Sequence, residues 1–121
     1  MILADTSLWI EHLRRGHAGL AAALEREEVL VHPFVIGELA CGNISNRSEL
    51  LELLARLPAA PRATDREVLH FIEQRRLMGR GLGYIDVHLL ASTALVGTAL
   101  LWTRDRSLAD VAAKLDLAYR G

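Results

Sequence analysis

The stretch MILADTSLW, residues 1–9, limits what this chain can fold into more than any other feature. Ile2 and Leu3 form a short apolar run ending in Asp5, and Thr6 and Ser7 can cap a helix that begins near Leu8. A buried strand at this place in a chain belongs in the middle of a parallel sheet, covered on both sides. The Asp5 carboxylate then emerges at the strand's C-terminal end, the edge at which open α/β sheets place their ligands.

The pattern returns near the other end. Residues 99–102 read as a second buried strand, and Thr103-Arg104-Asp105 again closes an apolar run with an acid just before a helix that runs to about Leu115. Between these landmarks the apolar spacing predicts helices over residues 7–15, 17–27 and 34–41, with a short strand at 29–31 and Pro33 in a first helical turn. Ser45 or Asn46 caps a further helix through Leu57. Residues 58–61 make a turn and a very short edge strand, and Thr64 with Glu67 makes a capping box for a helix to about Met78. Residues 84–96 are helical, and 117–119 form an edge strand. This alternation predicts one α/β domain over residues 1–121, a three-layer fold with a mostly parallel central sheet flanked by helices.

Composition supports that reading. The chain is 51% hydrophobic but only 5% aromatic, which favours helices on a small sheet over a β-sandwich. The lone Cys41 cannot form an internal disulfide, which suits a reducing compartment. No leader-like segment stands at the N-terminus, and the nearly apolar run 89–102 is broken by Gly97 and shorter than the roughly 20 residues of a membrane span. A soluble, cytoplasmic protein with no membrane partner is therefore expected. A formal net charge of -1 argues against binding nucleic acid by bulk electrostatics, while leaving room for a local basic surface.

Four acids stand out by position: Asp5, Glu38, Asp86 and Asp105. Glu38 lies in the apolar segment VIGELA, where a carboxylate is costly unless paired, hydrogen-bonded or metal-bound. Asp86 sits in the first turn of its helix, where the dipole favours an anion and where a plain cap is the ordinary reading. Carboxylates on separate elements suit hard divalent cations such as Mg²⁺ or Mn²⁺, which can activate water and neutralise charge on a phosphoryl oxygen. No His/Cys cluster suggests zinc, and the absence of GxxxxGK[ST] removes the P-loop NTPases. His88, two residues beyond Asp86, points away from it on a helix and reads as structural or loop-contacting. In RRLMGRGLGYID, residues 75–86, glycines 79, 81 and 83 make a mobile loop with Arg75, Arg76 and Arg80 alongside. It is either a phosphate-contacting segment or an exposed connection.

The segments MILADTSLWIEHLR, HPFVIGELACG, GRGLGYIDVHLLAS and LWTRDRSLADVA, in this order, resemble the PIN-domain nucleases, and among them the VapC-type toxins of bacterial toxin–antitoxin pairs. The resemblance covers essentially the whole chain. It implies a Mg²⁺- or Mn²⁺-dependent endoribonuclease in which Asp5, Glu38, Asp86 and Asp105 bind metal and a metal-activated water attacks the scissile phosphate. It further implies that Thr6 and Thr103 support the site, and that a cognate VapB-type antitoxin holds the enzyme inactive. Apolar positions such as Trp9, Leu13 and residues 50–54 exceed what one small sheet obviously needs, and together with the resemblance they suggest a homodimer. A PIN-like binding or scaffold module and a receiver-like signalling domain are the other readings. The latter wants a lysine at the end of a late strand, whereas Lys114 falls inside the last helix.

Overall fold

A computed structural model describes all 121 residues. Strand β1 (Ile2–Ala4) lies between β2 (Val29–Leu30) and β3 (Leu100–Trp102) in a three-stranded sheet of order β2-β1-β3. Both pairings are parallel, with Ile2 opposite Val29 on one side and opposite Leu100 on the other. The first strand is thus central, and Ile2, Leu3 and Ala4 are buried on both of its faces.

The outer pieces are slighter than the sequence suggests. Val31 meets Ala59, and Leu101 meets Ala118, only as single bridges. Pro58 and Pro61 flank the first bridge, and a proline cannot donate to a ladder, which holds that pairing to one residue.

Seven helices surround the sheet: α1 (Thr6–Arg15), α2 (Ala18–Glu25), α3 (Pro33–Cys41), α4 (Arg47–Arg56), α5 (Asp65–Arg75), α6 (Tyr84–Val96) and α7 (Arg106–Lys114). Their starts are set by side chains that satisfy orphan backbone N–H groups. At α1 this role falls to Asp5 itself, whose Oδ1 accepts from Leu8 N at 3.0 Å, and not to Thr6 or Ser7. At α3 the Nδ1 of His32 accepts from Phe34 N at 3.0 Å, with Pro33 in the first turn. The Thr64–Glu67 capping box opens α5 as the spacing implies. At α4, Asn46 takes the cap position in a left-handed conformation and makes no side-chain cap bond. Helix α5 stops at Arg75, short of Met78, because Arg76 turns left-handed (φ 53°) and Leu77 N donates back to Ile72 O.

Trp9, Leu8, Leu20, Leu39, Leu54, Leu90 and Leu108 are fully enclosed around the sheet. Trp9, Leu50 and Leu54 belong to this core, so they do not form an assembly surface as their apolar excess suggests; of that group Leu13 and Leu53 are exposed. Of the two glycines within helices, Gly19 is the closely packed one: an added Cβ would stand 2.8 Å from the Cη2 of Trp102. Gly19→Ala would gain at most about 1 kcal/mol of helix propensity. Overpacking against a buried ring costs about 1–3 kcal/mol. The variant should therefore melt below wild type in a thermal scan, although alanine is the better helix former.

Candidate active site

The C-terminal edge of the sheet gathers the ends of all three strands and the starts of the helices that follow them. Asp5 comes directly after β1 and is 5% exposed. Its carboxylate is fully engaged: Oδ1 accepts from Leu8 N and, at 2.6 Å, from Ser7 Oγ, while Oδ2 accepts from the hydroxyl of Thr103. The backbone joins the same elements, since Asp5 N donates to Trp102 O at 3.0 Å. Asp105 follows β3, and its Oδ1 caps α7 by accepting from Leu108 N at 3.0 Å. Thr103 links the two acids, accepting from Asp105 N at 3.0 Å through the hydroxyl that donates to Asp5.

Asp86 lies in the first turn of α6, and its Oδ2 accepts from Gly83 N at 3.3 Å. Glu38 lies within α3 and accepts from the Thr6 hydroxyl at 2.6 Å. Although its helix is apolar in sequence, Glu38 is exposed, so the desolvation cost expected there does not arise. Thr6 therefore supports the site through Glu38 and not through its neighbour Asp5. Ser7, which sequence reading treated only as a cap, joins Asp5 to the third strand: Arg104 N donates to its Oγ at 2.9 Å. The signal was present in the pairing of DTS after one strand with TRD after another.

Two of the four acids respond to their surroundings. Burial, ahead of every other cause, pushes the Asp86 carboxyl above its ordinary range, against the Gly83 N–H; the charges of Asp105, Asp5 and Glu38 push the same way. Burial likewise raises Asp5, against the bonds from Ser7, Thr103 and Leu8, with Asp105 adding to the rise. No three His, Cys, Asp or Glu side chains stand together as metal ligands in this arrangement, since each carboxylate is drawn toward its own cap or hydroxyl partner. In donor type the set nonetheless suits a hard cation. All donors are carboxylate oxygens, and one oxygen each of Glu38, Asp86 and Asp105 carries no bond.

Other candidates lie elsewhere. Arg75 sits over the Phe71 ring at 5.2 Å, Arg76 ends α5, and Arg80 lines a hollow with Met78, Leu82 and Tyr84. None of these contacts reaches the four acids. His88 is structural: it is fully buried, its ring packs edgewise on Phe34 and Tyr84, and its nitrogens have no hydrogen-bond partner. Lys114 ends α7, far along that helix from Asp105.

Two titrations with opposite signs follow. Burial, then the neighbouring His88 and Arg62, lowers His32 to about 4, so it stays neutral in the fold while the unfolded residue titrates near 6.5. Stability from this group is intact above pH 6.5 and is lost toward pH 4, by up to about 3 kcal/mol. The raised Asp86 does the reverse, since its penalty at neutral pH is relieved as pH falls through the raised value. In metal-free urea melts from pH 7 to pH 4, His32→Asn should flatten the acid loss. Asp86→Asn should be at least as stable as wild type at pH 7, with its advantage shrinking on acidification.

Comparison with known proteins gives the family and the fold. Residues 2–114 match the family model described as PIN domain. The chain is 52% identical over 118 residues to Ribonuclease VapC32 of Mycobacterium tuberculosis, in both the CDC 1551 / Oshkosh and H37Rv strains, covering 98% of this chain and 95% of the relative. Among solved structures it is similar to PAE2754 from Pyrobaculum aerophilum, with a TM-score of 0.61 at 19% identity over 91% of this chain and 78% of the other.

Proposed function

Because the chain belongs to the PIN-domain family, and within it to the VapC ribonucleases, we propose that it hydrolyses RNA phosphodiester bonds as the toxin of a type II toxin–antitoxin pair. The observation that carries this reading is the placement of Asp5 and Asp105, joined through Thr103, at the sheet edge where the charges of both, with that of Glu38, reach Asp86. These four would hold a Mg²⁺ or Mn²⁺ ion. Such an ion supplies charge neutralisation at the phosphoryl oxygens and a more acidic water.

The chain's own groups have separable tasks. Asp5 is the fixed point, immobilised by Leu8 N, Ser7 and Thr103. Thr6 orients Glu38, and Thr103 spaces Asp105 from Asp5. In hydrolysis a water oxygen bonds to phosphorus, a ribose oxygen leaves, and a proton must be taken from the water. Asp86, whose Oδ1 carries no bond, is the acid we assign to accept it and to pass it to the ribose oxygen as that leaves. Arg75, Arg76 and Arg80, in and before the loop that leads to Asp86, would contact the RNA backbone further along.

The partners follow from surfaces. A groove of about 830 Å³ between α1, α3 and α4 is lined by exposed Ile10, Leu13 and Leu53 and reaches Glu38. A VapB-type antitoxin segment with apolar anchors and a basic residue at the Glu38 end would fit it and would stand beside the acids. A second hollow of about 540 Å³ between α5 and α6, with half-exposed Leu95 at its wall, is the face assigned to a homodimer. No helix is long and apolar enough to cross a membrane, and a cytoplasmic site of action is the one RNA cleavage requires.

Antitoxin-free protein should cut single-stranded RNA with Mg²⁺ or Mn²⁺ and stop with EDTA. Asp5→Asn and Asp86→Asn should abolish cleavage while keeping the fold, since asparagine still caps a helix. Both should lose most of the Mn²⁺-induced rise in melting temperature seen in wild type. RNA left intact by wild type, or equal Mn²⁺ stabilisation in all three proteins, would sink the reading. For assembly, light scattering should give a dimer that Leu95→Arg converts to monomer; a wild-type monomer removes the α5–α6 interface.

A further inference from the structure

Beside the acids, on the α1 side, lies a second cleft that the catalytic description does not use. Ser7, Glu11, Arg14 and Arg15 follow one another at helical spacing along one stripe of α1, and Arg104 from the end of β3 faces them across a hollow of about 280 Å³. Ser7 is common to both places. Its Oγ donates to Asp5 Oδ1 at 2.6 Å and accepts from Arg104 N at 2.9 Å, so the cleft opens directly from the acid site.

The charges in it are unbalanced. Glu11 is the one acid, and its Oε2 lies 2.9 Å from Arg104 Nε. Arg14 and Arg15 are exposed and paired with no carboxylate. A cation in the last turn of α1 complements the helix dipole, but that role needs neither two arginines nor a third facing them from another strand.

A polyanion approaching four carboxylates needs such a cleft. An ion held by the acids offsets charge only at the phosphate being cut, and the phosphates directly flanking it meet the same repulsion. The overall charge of -1 provides no general attraction either. Guanidinium groups bind phosphate oxygens through paired donors, and the stripe from Ser7 to Arg15 extends about 12 Å at the helical rise of 1.5 Å per residue. We propose that the Ser7–Arg14–Arg15–Arg104 cleft seats the RNA backbone phosphates adjoining the scissile one, so that the substrate strand leaves the acids along α1. This assignment rests on the ribonuclease reading and specifies where that enzyme holds its substrate. Glu11 tunes the cleft by holding Arg104 across it and by lowering its positive charge.

The test uses the whole protein and a fluorescently labelled single-stranded oligoribonucleotide. Binding is followed by anisotropy over a KCl series in EDTA, where nothing is cut, and KM and kcat are followed with Mn²⁺. In Arg14→Gln/Arg15→Gln/Arg104→Gln, loss of two or three phosphate contacts should reduce the slope of log K against log salt by about 1.4 to 2. KM should rise several-fold with kcat nearly unchanged and with a wild-type melting temperature. The triple Arg→Lys variant should recover part of the affinity. Glu11→Gln should bind RNA more tightly than wild type, an effect of opposite sign that mere structural damage does not produce. Arg26→Gln, at the other end of the sheet beside Glu28, should leave slope and KM as they are. A wild type that cuts RNA, together with a triple-glutamine variant of unchanged slope and KM, overturns the cleft alone. A wild type that neither binds nor cuts RNA overturns the ribonuclease reading and the cleft with it.

Discussion

Everything at the functional edge depends on a single buried carboxylate. Asp5 is the residue at which the central strand becomes a helix, and its three hydrogen bonds tie together β1, the first turn of α1 and the end of β3. An ionised carboxylate with so little solvent is costly unless each oxygen is met by donors. Here the N–H of Leu8 and two hydroxyls supply them, and the same bonds fix where Asp105 and Arg104 stand. Remove the donors and the acid is expelled; remove the acid and two strand ends lose their common partner.

That arrangement is electrostatically unfavourable by construction. The leading cause of the raised carboxyls of Asp5 and Asp86 is burial, and mutual repulsion comes second. The order matters, because desolvation acts on each acid separately whereas repulsion exists only while the others are charged. A cation held at the edge, as proposed, would answer both at once, restoring polar surroundings and cancelling like charge. The hydrophobic core beneath, with Leu3, Leu8 and Leu101 almost wholly enclosed, supplies the stability that lets the edge stay strained.

Much of this was legible in the chain. Apolar runs ending in acids located β1 and β3 and placed Asp5 and Asp105 at their ends, because strand burial and the α/β ligand edge are both written in local pattern. Thr64 with Glu67 announced α5, and Tyr84 to Val96 was read with its observed bounds. What local pattern missed was tertiary. Glu38 seemed costly because its helix is apolar, yet that helix shows the residue to solvent and to Thr6. Trp9 and Leu54 looked like surplus surface, because the sequence does not tell how many helices crowd one short sheet. The Ser7–Arg104 contact joins residues 97 apart in the chain, and only the likeness of DTS to TRD points to it.

The sheet order itself has a temporal consequence. The central strand precedes both its neighbours in the chain, yet one of them, β3, begins only at Leu100, and no hairpin offers β1 an early partner. Parallel pairings of this kind close very long loops and form late. While a ribosome is still extending the chain, Asp5 lacks Thr103, and Asp105 does not yet exist. The acids assemble only after the segment around Asp105 has been made and has cleared the exit tunnel. A nascent chain that has not yet reached Thr103 therefore lacks the joined edge, a delay that arises from strand order alone.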